Sequence, residues 1–320
     1  MIISIITPIY NESKNIKRYF DAILNLNYKK EDFEIIFIND GSKDNSLKII
    51  EEIKENNNNF NIKIINFDKN KWRAIAREQW AKNAKYNNLL FLDTKCEIFS
   101  DALNIINNKN YSPIVWNALQ KQTNLVDKFL YIIRKKLFEN SFWEKFKDIY
   151  INKENFDDIS KWTGILFIEK KIFLKNIPKE KGEFISDDTK LLRNIIKEKN
   201  ILKTSDLKIY YNVREWFIDN IVHIYERWPK FIDFYYNKKS KYFWLINIII
   251  LLSIILIFYL FINLNILFWI NILFIILWIY FSSNIKEFWI FILLAPILFT
   301  TFTLWLFKWI FLKITGQLWK

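Results

Sequence analysis

The segment from Phe33 to Ser46 places the strongest constraint on how this chain can fold. It begins with an apolar run through Ile38, a composition typical of a strand that is buried on both faces of a parallel sheet. The turn that follows contains Asp40, which can hydrogen-bond locally, and Gly41, which can adopt a positive φ angle. An amphipathic helical pattern comes next. Such a unit presents ligand-binding groups at the carboxyl edge of an α/β sheet, and the alternative is that Asp40 only caps the helix.

Three further apolar runs predict strands, and amphipathic runs separate them. The predicted strands cover residues 2–6, 62–67 and 88–92, while predicted helices start after Ser13, as an N-cap, and again at Ala74. Four strands that alternate with helices within the first 92 residues indicate an α/β fold with an open, mostly parallel sheet.

The composition narrows the ligands that this chain can bind. Its 47 basic residues exceed its 34 acidic residues, and the formal net charge of +13 favours an anionic ligand or an anionic membrane surface. No zinc pattern or basic-aromatic motif accompanies this charge, so nucleic acid is not an expected partner. Cys96 is the only cysteine, which rules out an intramolecular disulfide and argues against a cysteine-built metal site. The N-terminus has no basic-then-apolar signal segment, and we expect the first domain to stay in the cytoplasm.

Three motifs follow one another within the first 95 residues, namely ITPIYNES, FEIIFINDGSKDNS and FLDTK. In this order and spacing they resemble the nucleotide-binding half of a family 2 glycosyltransferase, an inverting enzyme of the GT-A fold. The resemblance implies a GT-A type open, mostly parallel sheet flanked by helices. It also implies a nucleotide-sugar site at the carboxyl edge of that sheet.

The same resemblance implies a set of donor-binding residues, which are Pro8, Tyr10, Glu12, Asp40, Arg77, Asp93 and Lys95. Pro8, Tyr10 and Glu12 would flank the base. Asp40 would accept hydrogen bonds from the base or the ribose, and Asp93 would stand at the DxD site that handles the diphosphate and its metal. Arg77 sits where family members often place an Arg followed by Asn, but the next residue here is Glu78.

Lys95 departs from the family pattern, which has a second acid two residues after Asp93. That acid matters because Mg²⁺ and Mn²⁺ prefer carboxylate oxygens together with substrate phosphates, and an ammonium cannot ligate a cation. One alternative is that Lys95 neutralises the diphosphate as a point charge. Another is that Lys95 points away as a solvated lysine, so that Asp93 and the phosphates hold Mg²⁺ or Mn²⁺. The resemblance therefore implies a divalent metal at Asp93, with the role of Lys95 open.

Two adjacent acids, Asp187 and Asp188, precede an amphipathic helical pattern over residues 191–196. Acids at a helix start are explained by capping and by the helix dipole. The segment also resembles the acidic "ED" motif of the family, which implies that Asp188 is the general base and Asp187 its neighbour. Gly164 opens a predicted strand that resembles the one lining the acceptor cleft, and the alternative is a simple strand-start glycine.

Arg227 and Trp228 match the end of the QxxRW motif of membrane-bound family members, although Ile224 stands at the Gln position. The match implies an interfacial helix beside the active site, and the alternative is that both residues only anchor a helix among lipid headgroups. Pro229 predicts that this helix ends or kinks.

Three hydrophobic segments, 242–262, 264–281 and 288–307, are each about long enough to cross a ~30 Å hydrocarbon core. Lysines precede the first segment, as expected for a cytoplasmic flank, and Pro296 offers the alternative of a re-entrant hairpin. We therefore expect a GT-A catalytic domain over 1–213, an amphipathic interfacial helix over 214–241 and a membrane domain over 242–320.

These features predict a multi-pass protein of the cell membrane with a cytoplasmic catalytic domain. The predicted activity is an inverting transfer of a sugar from a nucleotide-diphosphate donor to a lipid or lipid-linked acceptor. The alternative is a degenerate, non-catalytic scaffold of the same fold, which Lys95 and Ile224 suggest.

Overall fold

The structure, a computed structural model, describes residues 1–71, 73–116, 119–120, 124–138, 141–142, 146–161, 163–179, 186–212, 216–238, 240–262, 275–276, 279, 282 and 284–314. The chain divides into two compact units. The sheet unit comprises Met1–Lys121, Asn140–Glu183 and Asp187–Val213, and the helical unit comprises Gln122–Glu139, Phe184–Ser186 and Arg214–Lys320. The roles predicted for 1–213, 214–241 and 242–320 remain predictions.

The sheet unit begins with four strands that alternate with helices. These elements are β1 (Ile3–Ile9), α1 (Ser13–Leu24), β2 (Phe33–Asp40), α2 (Ser46–Asn56), β3 (Ile62–Phe67), α3 (Arg73–Asn83) and β4 (Asn88–Leu92). The four strands are parallel and lie in the order β3-β2-β1-β4. The prediction of a mostly parallel α/β sheet is therefore confirmed, with β3 and β4 at their predicted bounds.

The chain continues through shorter elements: β5 (Cys96–Ile98), α4 (Ala102–Lys109), β6 (Ile114–Trp116), β7 (Leu119–Gln120), α5 (Leu125–Leu137) of the helical unit, β8 (Ile149–Ile151), β9 (Ile165–Glu169), α6 (Lys170–Asn176), α7 (Asp187–Ile195), β10 (Ile201–Thr204) and β11 (Ile209–Tyr211). The main sheet has the order β3-β2-β1-β4-β9-β6-β10-β8, and β9 is antiparallel to both of its neighbours. β5, β11 and β7 form a second, three-stranded sheet.

The apolar spacing of the first helix explains how it packs on the sheet. Ile16, Phe20 and Ile23 recur at helical intervals, and all three are buried against the strands. Burial of each such side chain stabilises the fold by about 1.5–3 kcal/mol. The predicted N-cap is wrong by one residue, because Ser13 is the first residue of α1 and Glu12 holds the cap position without a side-chain capping bond.

The helical unit contains α5, α8 (Phe217–Tyr235), α9 (Phe243–Ile262) and α10 (Ile285–Ile314). α8 does not end at Pro229, because its following turn packs through Ile232 against Phe302 and Trp305 of α10. That packing outweighs the cost of an interior proline, which is about 3 kcal/mol. α10 likewise continues through Pro296, so the alternative of a break there is wrong.

The expected membrane-spanning segments are not supported by the described part of the chain. Among the residues that the structure describes, we find no helix with both the length and the apolar character needed to traverse a bilayer. Most of the second predicted segment, 264–281, lies outside the described residues.

Candidate functional site

Several of the predicted site residues meet at one edge of the main sheet. β1, β2 and β4 are parallel neighbours, and Pro8 at the end of β1 lies opposite Ile38 of β2. Because the strands end together, the residues that terminate or follow them share an edge. We call this surface, formed by Tyr10, Glu12, Asp40, Asp93 and Lys95, the carboxyl edge.

Side-chain hydrogen bonds join the two turns that begin the carboxyl edge. Asn11 adopts a left-handed conformation, with φ of 54°, and its amide donates to Oγ of Ser42 at 3.0 Å. The amide of Glu12 donates to Oγ of Ser46 at 2.9 Å, and the amide of Lys43 donates to Oδ1 of Asn11 at 2.8 Å. The β1–α1 and β2–α2 turns are thus fixed relative to each other. The sequence did not indicate this arrangement, although Asn is among the residues that tolerate a positive φ.

Asp40 ends β2 and is bound by the main chain of the next loop. The residue is 5% exposed, and its Oδ1 accepts a hydrogen bond from the amide of Lys71 at 2.9 Å. Burial raises the pKa of Asp40, and the amide and charge of Lys71 oppose that rise. The alternative that Asp40 caps α2 is wrong, because the acid that binds the first turn of α2 is Asp44, at 3.0 Å from the amide of Ser46.

Gly41 makes the close approach of that loop possible. Its φ is 71°, as the turn chemistry predicted. A Cβ atom at this position would lie 2.8 Å from the amide nitrogen of Asn70 and 2.8 Å from the carbonyl carbon of Lys69. Both neighbours are main-chain atoms and cannot rotate away, so the loop could not cover the turn if residue 41 had a side chain.

Asp93 and Lys95 lie in the turn between β4 and β5. The amide of Asp93 donates to the carbonyl of Gly164 at 3.0 Å, which brings the predicted acceptor-cleft glycine next to the DxD position. Nζ of Lys95 lies 3.5 Å from Oε1 of Glu12, and the two side chains are 18% and 20% exposed. The alternative of a solvated Lys95 is therefore wrong, because its ammonium is directed back over the carboxyl edge.

The charge of Asp93 reaches groups under and beside the carboxyl edge. Burial raises the pKa of Cys96, and the Asp93 carboxylate raises it further. Burial also raises the pKa of Tyr19, with a smaller contribution from Asp93, while the hydrogen bond to Thr7 opposes the rise. These contributions place an acidic centre at the end of β4.

Arg77 of α3 contacts the two acids that begin α7, which we call the acid pair, Asp187 and Asp188. Its Nη1 hydrogen-bonds to Oδ1 of Asp188 and lies 3.9 Å from Oδ2 of Asp187. Burial lowers the pKa of Arg77, but the carboxylates of Asp188, Asp187 and Asp93 more than reverse that effect and raise it. Capping alone therefore does not describe the acid pair. The guanidinium links it electrostatically to Asp93 at the carboxyl edge.

Arg227 and Trp228 lie on α8 in the helical unit. Nε1 of Trp228 donates to Oγ1 of Thr301 at 3.4 Å, and its ring packs edge-on against Phe302 with 4.9 Å between centroids. These contacts give Trp228 a packing role within the helical unit. The predicted catalytic association of Arg227 and Trp228 stays a prediction.

The residues around Asp93 do not fit a divalent cation held by two protein carboxylates. Within the described ranges there is no cluster of three or more carboxylate, histidine or cysteine side chains that could hold a metal ion. The side chain two residues after Asp93 is an ammonium that contacts Glu12, and hard cations require oxygen ligands. Whether Mg²⁺ or Mn²⁺ takes part remains a prediction.

Two solved structures place the fold among known proteins. A crystal structure of Staphylococcus aureus TarS 1-349 in complex with UDP-GlcNAc is similar with a TM-score of 0.53 and 16% identity, over 73% of this chain and 67% of that chain. The mannosyltransferase PcManGT from Pyrobaculum calidifontis, in complex with GDP-Man and Mn²⁺, is similar with a TM-score of 0.53 and 12% identity, over 72% of this chain and 62% of that chain. At these identities the likeness shows the fold, which is of the GT-A type.

Curated relatives share a shorter region. The poly-beta-1,6-N-acetyl-D-glucosamine synthases of Staphylococcus aureus strain COL and Staphylococcus epidermidis are 37% and 36% identical to this chain over 100 residues. The match covers 31% of this chain and 23% of each relative, so it spans less than a quarter of the length of these curated relatives.

The family match covers the region that carries the predicted motifs. Residues 4–165 match the family model described as Glycosyl transferase family 2. That region is half of the chain, and it contains Asp40, Arg77, Asp93 and Gly164. This chain therefore carries a glycosyltransferase domain and belongs to glycosyl transferase family 2.

Proposed function

We propose that this chain is a membrane-bound, inverting glycosyltransferase. It transfers a sugar from a nucleotide-diphosphate donor to a lipid or lipid-linked acceptor at the cytoplasmic face of the membrane. The observation that carries the proposal is the gathering of Asp40 and Asp93 at the carboxyl edge with the Arg77–Asp188 ion pair in electrostatic reach. TarS and PcManGT, which share the fold, were solved with UDP-GlcNAc and GDP-Man respectively, and this supports a nucleotide-sugar as the donor.

The carboxyl edge offers groups suited to each part of such a donor. The ring of Tyr10 is 45% exposed and available to the base, while the buried carboxylate of Asp40 suits a base or ribose donor group. Arg77 and Lys95 supply cations for the diphosphate, since guanidinium and ammonium groups bind phosphate oxygens through charge-assisted hydrogen bonds. The base, the ribose and the diphosphate would thus contact different strands of one edge.

Asp188 is placed to act as the general base in this proposal. The acceptor hydroxyl oxygen forms a bond to the anomeric carbon, the bond from that carbon to the diphosphate breaks, and the hydroxyl proton passes to Asp188. The leaving nucleoside diphosphate keeps the electron pair. Arg77 donates a hydrogen bond to Asp188 and so occupies one of its oxygens. A bound diphosphate would compete for the guanidinium, so donor binding would release the base before the acceptor reacts.

The helical unit supports an association with a membrane. Large apolar side chains are exposed on it, including Trp216 at 71%, Ile218 at 72% and Trp244 at 74%. Exposed apolar patches on this scale mark sites of membrane or protein interaction. The hydrophobic segments of the sequence supply further apolar surface. We therefore propose that the exposed apolar side chains of the helical unit hold the chain at the bilayer surface.

A transfer assay tests the proposal directly. Membranes that contain the chain are incubated with radiolabelled UDP-GlcNAc or GDP-Man, and labelled product is extracted into organic solvent. We expect label in the lipid fraction, and at least about 100-fold less label from matched membranes that carry Asp188→Asn. Flotation of the protein with vesicles checks the membrane association separately.

The non-catalytic scaffold remains the competing proposal, and the ion pairs Glu12–Lys95 and Arg77–Asp188 favour it because they occupy charges that catalysis would use. A scaffold would bind a nucleotide-sugar and neither transfer nor hydrolyse it. That outcome, with the folded protein and a panel of nucleotide-sugars, would replace the enzyme proposal.

A further inference from the structure

We infer that the ammonium of Lys95 is the fixed countercharge for the donor diphosphate, so that donor binding does not depend on a divalent cation. This inference rests on the proposed function, because it assumes a nucleotide-diphosphate ligand at the carboxyl edge. It concerns residue 95, where the family resemblance implied a metal-binding acid and this chain has a lysine.

The main chain on both sides of Lys95 is fixed. The amide of Cys96 donates to the carbonyl of Asp93 at 2.9 Å, which closes the turn. The carbonyl of Lys95 accepts from the amide of Asn212 at 2.9 Å and from its side-chain Nδ2 at 3.2 Å. The turn is therefore anchored to the end of β11, and the Lys95 side chain starts from a defined place.

Glu12 holds the other end of the Lys95 side chain. Its Oε1 lies 3.5 Å from Nζ of Lys95, and its Oε2 accepts from Nδ2 of Asn15 at 2.5 Å. An ammonium has three N–H donors, and one long contact with Glu12 does not exhaust them. The ammonium thus stands between the ends of β1 and β4, already positioned for an anion that lies across the edge.

Electrostatics favour the ammonium over a metal ion at this place. A dication brought to Asp93 would meet the positive charge of Lys95 in a partly buried site, where screening by water is reduced. The fold itself accommodates a cation, since PcManGT was solved with GDP-Man and Mn²⁺. The difference therefore lies in the residues of this chain and not in the architecture.

Binding of UDP and GDP to the full chain, purified in detergent, tests the inference by calorimetry in EDTA and in Mn²⁺. We expect wild-type affinity to change by less than about threefold between the two conditions, and Lys95→Met to weaken it about 10- to 100-fold in EDTA, the scale of a charged hydrogen bond. Lys95→Arg keeps the charge and should retain most of the affinity. Lys95→Asp should bind only when Mn²⁺ is present.

Lys48→Met is the matched control, because Lys48 also pairs with a glutamate, Glu52 at 3.9 Å, but on the exposed surface of α2. It should leave the affinity unchanged, and the thermal midpoint of every variant reports whether it is folded. Wild-type binding that requires Mn²⁺ and disappears in EDTA overturns the inference and leaves the proposed function standing. No binding of UDP, GDP or a panel of other nucleoside diphosphates, with or without Mn²⁺, overturns both.

Discussion

Two acids of the sheet unit are held in different ways, and the difference separates a fixed part of the site from a part that can change. Asp40 is almost completely buried and accepts a hydrogen bond from the main-chain amide of Lys71. Asp188 is held by the guanidinium of Arg77, and 26% of its side chain is exposed. A main-chain donor moves only when its loop moves, whereas a side-chain donor leaves by changing rotamer. Asp40 is therefore held in a preformed position, whereas the contact between Arg77 and Asp188 depends on the rotamer of one side chain.

The contact between Arg77 and Asp188 bears on the order in which donor and acceptor bind. If a donor diphosphate draws Arg77 away from Asp188, the base becomes available only in the donor complex. The acceptor would then react only after the donor has bound. Asp188 would therefore take the acceptor's proton only when a donor sugar is present to receive the nucleophile. Kinetics at varied donor and acceptor concentrations distinguish this ordered scheme from random binding.

Asp188→Asn should give the largest effect on activity. Loss of a positioned general base lowers turnover by about 10²- to 10⁴-fold, while affinity for UDP should rise, because Arg77 loses the carboxylate with which the diphosphate competes. Steady-state transfer to a hydroxyl acceptor and calorimetry measure the two quantities. Asp157→Asn is the control, since Asp157 also pairs with an arginine, Arg193 at 2.9 Å, in the last turn of α7, whereas the acid pair lies in the first turn. An unchanged turnover in Asp188→Asn would remove the base assignment.

Arg77→Met should give the largest effect on stability. It removes the guanidinium that pairs with Asp188, and breaking a buried ion pair from one side costs about 3–5 kcal/mol of unfolding free energy. The double variant Arg77→Met, Asp188→Asn should recover part of this loss, because a stranded charge has been removed. Denaturant unfolding of the single and double variants measures the coupling. Additive losses would mean that the ion pair does not hold the two residues together.

Asp40→Asn should change donor recognition more than folding. An amide oxygen can still accept from the amide of Lys71, but the charge available to a donor group is lost. We expect affinity for UDP to fall about 10-fold, since hydrogen bonds to charged groups are worth about 1.5–3 kcal/mol. Asp40→Ala, which also loses the loop contact, should fall further and unfold more easily. Equal affinity in Asp40→Asn and wild type would show that Asp40 is only a loop anchor.

The pH dependence of stability should show the smallest effect. The pKa of Asp40 is raised above 3.8 in the folded protein, chiefly by burial. The folded state therefore binds that proton more tightly than the unfolded state, and stability falls as the pH rises from about 4 through the folded pKa. Asp40→Asn cannot lose a proton, so its stability relative to wild type should increase over the same window. Unfolding curves of the wild type and Asp40→Asn at several pH values measure the difference in unfolding free energy. A difference that does not change with pH would contradict this prediction.

The local elements of the fold were predictable because their signals are contiguous in the sequence. β3 and β4 have the predicted bounds, and Gly41 has the predicted positive φ. The pairing of Arg77 with Asp188 joins residues 111 positions apart, and nothing in either local pattern encodes it. Lys203 illustrates the same limit: it looks like a surface lysine, but it is fully buried on β10.

The loop that packs against Gly41 also limits which residues can replace it. The chain contains only 4 glycines in 320 residues, so nearly every other place has accepted a residue with a side chain. A methyl group at residue 41 would meet two main-chain atoms at 2.8 Å, and no neighbouring rotamer can relieve that contact. Saturation mutagenesis should therefore find residue 41 intolerant of every replacement.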